Sequence, residues 1–146
     1  MSVRSGLSNF VYRLPTTTLG TTLQQRYPIA VPKGTYIINA NISIVSNTNN
    51  FTGVLFSLQT TNVDAPTASV ADVILRNTVG SGATTLALPS GSSLTQAYSL
   101  SCVYTFATDA TIYLNISGVA AASNWTVTAS AAPSLLNTLQ FIQIAS

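Results

Sequence analysis

Residues 34–45 read GTYIINANISIV, and their alternation decides the fold. Tyr36, Ile38, Ala40, Ile42 and Ile44 fall on one side of an extended chain. Ile37, Asn39, Asn41, Ser43 and Val45 fall on the other. A period of two marks a β-strand with one buried face, whereas a helix would repeat about every 3.6 residues. The flanking residues set its ends. Pro32, Lys33 and Gly34 precede it with turn chemistry, since Pro fixes its own φ and Gly tolerates angles closed to other residues. Residues 47–50, NTNN, make a polar turn after it. Residues 51–60, FTGVLFSLQT, then read as the next strand, and the pair predicts a hairpin. Gly53 near its start marks a candidate bulge.

The same pattern recurs down the chain. Strands are predicted over 70–77, weakly over 84–88, and over 95–106, where Tyr98, Leu100, Cys102, Tyr104 and Phe106 share a face. Ile112, Leu114 and Ile116 alternate with Thr111, Tyr113 and Asn115 in the next strand. Residues 125–130 alternate again, and Pro133 ends that stretch. The last strand spans 137–145, with Leu139 and Phe141 on one face and Ile142 and Ile144 on the other. The segment closest to a helix, 65–71, is short and interrupted by β-branched residues. About eight to ten strands joined by turns mean an all-β sandwich or barrel of antiparallel sheets. At 146 residues the chain fits one domain.

Composition narrows the function. Eight of the 146 residues are charged: Arg4, Arg13, Arg26, Lys33, Asp64, Asp72, Arg76 and Asp109. An ordinary domain carries roughly a quarter. There is no His and no Glu, so general acid–base chemistry has almost nothing to work with, and no enzyme activity is expected. A carboxylate pair for glycoside cleavage would have to come from Asp64, Asp72 and Asp109 of several chains. Their placement beside turn residues reads as ordinary turn chemistry. Zinc is excluded by the lack of a His/Cys cluster; Asp72 or Asp109 would be the donors for calcium, but no metal or other cofactor is expected. Cys102 alternates with apolar neighbours and reads as a small buried hydrophobe. The five cations are scattered and the net charge is +2, so no nucleic-acid footprint is visible. No apolar run reaches the roughly 20 residues of a membrane helix, and no export signal is visible. Four Asn-x-Ser/Thr sequons, at Asn41, Asn50, Asn115 and Asn124, match the number chance supplies to a chain with 11 Asn and 39 Ser plus Thr.

An apolar fraction of 47% with so few charges suits a surface covered by other protein. Several strands are apolar on both faces: Ile37 opposite Tyr36, Tyr113 opposite Ile112, Ile142 opposite Phe141. Such faces mark an interface, unless the chain's own loops cover them.

The stretch VPKGTY at 31–36, continuing as IINANISI, resembles the P-x-G-x-Y strand of tumour necrosis factor-like and complement globular-head-like domains. TIYLNISG and the terminal LQFIQIAS resemble the late strands of that fold. The resemblance covers about 31–146 and implies a jelly-roll β-sandwich of two antiparallel sheets that assembles as a homotrimer, one sheet facing the three-fold axis. Related domains occur in phage and large DNA virus structural proteins and on spore surfaces. The resemblance implies a virion protein (minor capsid, decoration or fibre-tip) assembled in the host cytoplasm beside other virion structural proteins. Residues 1–30 would form an extended arm with a first strand, its Arg4, Arg13 and Arg26 anchoring a partner, and 31–146 the jelly roll. The implied trimer interface is Ile37, Asn39, Tyr113, Asn115, Phe141, Ile142 and Ile144. The alternative is a carbohydrate-binding adhesion module on a cell, spore or virus surface, with Trp125 stacking on a host glycan.

Overall fold

The computed structural model describes residues 7–19, 24–46, 50–51, 54–63, 70–79, 86–87, 94–118, 125–127 and 134–146. Among them are twelve strands: β1 (Asn9–Arg13), β2 (Thr17–Leu19), β3 (Gln24–Val31), β4 (Gly34–Ser46), β5 (Asn50–Phe51), β6 (Val54–Gln59), β7 (Val73–Val79), β8 (Leu86–Ala87), β9 (Leu94–Phe106), β10 (Ala110–Gly118), β11 (Trp125–Val127) and β12 (Thr138–Ala145). A 3₁₀ turn, Val70–Asp72, leads into β7.

Among the described strands, six antiparallel pairs are nested in sequence: β1 with β12, β2 with β11, β3 with β10, β4 with β9, β5 with β8, and β6 with β7. The chain thus behaves as one long hairpin with its tip between β6 and β7. Two further pairings, β12 with β4 and β10 with β6, roll that hairpin into two sheets. The result is a jelly roll, the all-β architecture the sequence predicts. The larger sheet runs β1-β12-β4, with β9 on the far side of β4. Because β9 pairs with β4 along all of Gly34–Ser46, β12 and the short β11 must share the other edge of β4, one beyond the other. The smaller sheet runs β3-β10-β6-β7. β1 and all of β3 except Val31 precede position 31, and both are strands of these two sheets.

The expected hairpin between 34–45 and 51–60 does not form. Residues 50–51 pair with β8, and β6 begins at Val54 in the opposite sheet. Alternation specifies a strand and its buried face but carries nothing about its neighbour, and non-local pairing won here.

The core lies where the predicted faces meet. Tyr36, Ile38, Ala40 and Ile42 of β4 are buried against Ile112, Leu114 and Ile116 of β10, Phe56 and Leu58 of β6, and Leu139 and Phe141 of β12. Leu100, Cys102 and Tyr104 of β9 are half-buried against the same cluster. Aromatic rings fill one end. Phe10 stacks on Phe141 with centroids 4.5 Å apart, and Tyr36 meets Phe106 edge-on at 6.0 Å. Such geometries add to the burial of large rings.

Two crossings between the sheets lie side by side at this end. Pro32 and Lys33 carry the chain from β3 to β4, and residues 107–109 carry it from β9 to β10. Asp109 joins them by accepting a hydrogen bond from the Lys33 amide at 2.8 Å. Gly34, at φ 143°, makes the corner. A β-carbon there would sit 2.8 Å from the Ala145 carbonyl oxygen and on the side-chain nitrogen of Gln143. At the other end of β12, Asn137 adopts φ 53° and caps two neighbours at once. Its Oδ1 accepts the Ser43 amide at 2.7 Å and its carbonyl accepts the Leu14 amide at 3.0 Å.

Candidate functional site

Each sheet of a sandwich has an inner and an outer face, and the two outer faces of this molecule differ. On the smaller sheet, Ser57 and Gln59 of β6 and Asn115 of β10 point outward, yet all three are completely buried. The chain's own residues 61–63 fold over them. Gln59 donates through Nε2 to the carbonyls of Thr61 and Val63, and Asn115 donates through Nδ2 to Val63 at 3.4 Å. Ser57 donates to Gln59 Oε1 at 3.2 Å. The middle of this face is covered by the chain itself, while Pro28, Ala30 and Thr111 towards its end stay exposed.

The outer face of the larger sheet has none among the described residues. Its rows follow from the register. Ile142, Ile37 and Val103 stand side by side across β12, β4 and β9. Asn39 pairs with Ser101 and Asn41 with Ser99 in the rows on one side, and Thr35 pairs with Thr105 on the other. These polar pairs bond to each other across the strands: Ser101 donates to Asn39 at 2.7 Å, Ser99 to Asn41 at 3.1 Å, and the Thr35 and Thr105 hydroxyls meet at 2.9 Å. Their hydrogen bonds are made within the chain, so covering them strands few polar groups. Val103 is 63% exposed, Val11 of β1 43% and Ile144 39%. Arg13 is the charged residue of this parity, and its Nη1 donates to the Ser134 carbonyl at 2.6 Å. Among the described residues the face is therefore nearly chargeless and apolar along its middle row.

The structure divides the expected interface set. Ile37, Asn39 and Ile142 come together on this open face, while Ile144, 39% exposed, lies at the register shift of β12 and pairs with no residue of β4. Phe141 does not, because its parity on β12 turns it inward and it is completely buried in the core. Tyr113 and Asn115 lie on β10 of the other sheet, Asn115 beneath residues 61–63. Val103 and Val11 belong to the open face and were not in the set. Alternation places Val103 opposite Cys102, a readable signal, but only the β4–β9 register sets it beside Ile37.

The remaining candidates are placed as follows. Arg4 lies outside the described residues, and so does Asp64. Arg26 is a β3 residue in register with Asn115. Trp125 begins β11, in register with Leu19 and Ser46; its side chain lies outside the described part. Asp72 accepts a hydrogen bond from the Thr60 hydroxyl, a turn contact. No group of three or more His, Cys, Asp or Glu side chains gathers among the described residues. Cys102 faces the core, and burial pushes its thiol pKa up, away from the thiolate a nucleophile needs. No helix among the described residues is long and apolar enough to cross a membrane.

No family model matches the chain, and no curated protein matches it. Among solved structures, seven chains match. One is a mutant VP2 protein of infectious bursal disease virus from derived T=1 particles, at 14% identity and a TM-score of 0.37. The match covers 97% of this chain and 37% of that one, so this chain spans little more than a third of its length. A likeness this distant carries nothing about function.

Proposed function

We propose that the protein is a structural component of a virion, a minor capsid, decoration or fibre-tip protein, and that it assembles as a homotrimer through the outer face of the larger sheet. The observation that carries the reading is the contrast between the two outer faces. Among the described residues, 61–63 lie over the middle of one, and the other leaves Val103 63% exposed beside half-buried Ile37 and Ile142 in a row without charges. Exposed apolar patches of this kind mark interaction surfaces. The face suits a second copy of itself, because its partner must also lack charge and this chain has eight ionised residues in 146. Size sets a further condition. Four strands about 4.8 Å apart and some seven paired residues of about 3.4 Å span only ~400 Å². A stable interface buries about 800 Å² per partner. A trimer supplies two contacts per protomer, and the neighbouring β9 edge adds to each. The nested jelly-roll pairing and the short strand resemblances around Gly34 and the C-terminus support the viral assignment, with other virion proteins as further partners. No catalytic or metal role is assigned.

Mass in solution tests the assembly. Three copies of 15.2 kDa give about 46 kDa. A particle of 15.2 kDa at micromolar concentration refutes the trimer. The adhesion alternative is separated by a glycan array: binding that Trp125→Ala abolishes would replace the structural reading.

A further inference from the structure

The paired crossings at the aromatic end of the sandwich form a cleft of about 350 Å³, lined by Ala30, Val31 and Pro32 from one crossing and Asp109, Ala110 and Thr111 from the other. Its walls are mainly apolar, with Thr111 beside the alanines, valine and proline, and the Asp109 carboxylate is the single charge among the lining residues. That carboxylate is fixed in position. Oδ1 accepts the Lys33 amide at 2.8 Å, and Oδ2 has no partner among the described residues. A second unpaired group lies outside the lining residues, in the core. The Tyr36 hydroxyl is completely buried, without a hydrogen-bond partner among the described residues, and close enough to Asp109 for the carboxylate charge to act on it.

We propose that this cleft is a recognition site for an arginine side chain presented by another protein chain, with Asp109 as counter-charge. The chemistry selects the occupant. A guanidinium donates in a plane to the open carboxylate oxygen, and its three-carbon stem lies along Ala30, Pro32 and Ala110, where an anion or a neutral polar group would gain nothing. A carboxylate fixed by a backbone amide also loses little side-chain freedom on pairing, the main reason exposed ion pairs are weak. Arginine fits better than lysine because a compact, strongly hydrated ammonium sheds water less readily against an apolar wall. The proposal is independent of the trimer reading, since the cleft lies at the sheet crossings, away from the Ile142–Ile37–Val103 row.

The probe is N-acetyl-arginine amide, titrated into the ¹⁵N-labelled protein, with the amide shifts of Val31, Ala110 and Thr111 followed. Saturable shifts with a dissociation constant of roughly 10 mM are expected, weakening as salt is raised. Asp109→Asn keeps an acceptor for the Lys33 amide and should weaken binding by about tenfold or more. The neutral isostere N-acetyl-citrulline amide, added to the unaltered protein, should leave these signals in place. Equal shifts from the citrulline compound, equal binding by Asp109→Asn, or no saturable shift with arginine each overturn the proposal.

Discussion

Gly34 shows how one residue can carry a corner of the fold. At φ 143° an L side chain is strained, and a β-carbon would collide with the Gln143 amide and the Ala145 carbonyl. Gln143 cannot yield easily, because its Oε1 accepts the Ser8 amide and its Nε2 donates to the Lys33 and Ala145 carbonyls. Gly34→Ala is expected to cost about 2–3 kcal/mol, read as a lower urea midpoint at unchanged m-value. Tyr36 presents the opposite case, a group the fold tolerates at a cost. Its hydroxyl is buried without a partner among the described residues, so Tyr36→Phe should stabilise by about 1 kcal/mol in the same experiment. The tyrosine also links stability to alkaline pH. Burial, then the Asp109 charge, raises its pKa above the ordinary 10.0. Tyr12 is raised by burial and then by Tyr27, and burial raises Cys102 above 9.0. The folded chain keeps these protons where the unfolded chain has lost them. Their stabilisation is whole below the unfolded values and is lost as pH rises through the folded ones. Stability should therefore decline from about pH 9 upward, and Tyr36→Phe should decline less beyond pH 10. Unfolding midpoints on an alkaline pH series check both.

At the scale of the element, the decisive objects are the two outer faces. The smaller sheet places Ser57, Gln59 and Asn115, residues with the polarity of a solvent face, under a backbone lid. Gln59 is the clasp, since its amide reaches both the Thr61 and Val63 carbonyls. Gln59→Ala removes both donors and leaves two carbonyls seeking water. It should cost about 1–2 kcal/mol globally and strip hydrogen-exchange protection from residues 61–63 before the core strands respond. Equal loss of protection along β6 and β10 would show that the clasp serves the sheet and not its lid. The β4–β9 ladder is different: its Thr35–Thr105, Asn39–Ser101 and Asn41–Ser99 pairs each form one cross-strand hydrogen bond within the chain. Those bonds leave fewer polar groups of the face to be satisfied by a partner.

Among the described residues the rolled hairpin has one partly covered outer face and one open one, and the proposed assembly rests on that asymmetry. Val103, the most exposed of its large apolar side chains among the described residues, touches little within the chain, so Val103→Asp should leave circular dichroism and unfolding of the monomer unchanged within about 0.5 kcal/mol. In an assembled particle the same change buries an unpaired carboxylate. The mass should fall from about 46 kDa toward 15.2 kDa. A mass that the substitution leaves at three subunits would move the interface elsewhere. The low charge makes this contact insensitive to salt, in contrast to the Asp109 cleft.

The strands and their inward faces were legible in the sequence because alternation is local. The parity of residues 34–45 was enough to place Tyr36, Ile38, Ala40 and Ile42 in the core, and the same rule held for Ile112, Leu114 and Ile116. Composition likewise limited the chemistry, since a chain without His or Glu cannot hide them. The pairing of strands far apart in the chain was not legible. A strand's side-chain pattern is the same whether its neighbour is the next strand or one about 100 residues on. Tertiary structure therefore decided that β4 lies between β12 and β9, that Phe141 turns into the core while Ile142 stays outside, and that residues 61–63 roof Asn115. Outer faces look alike until the fold puts a loop over one of them, so the open surface of this protein was settled only when both sheets had formed.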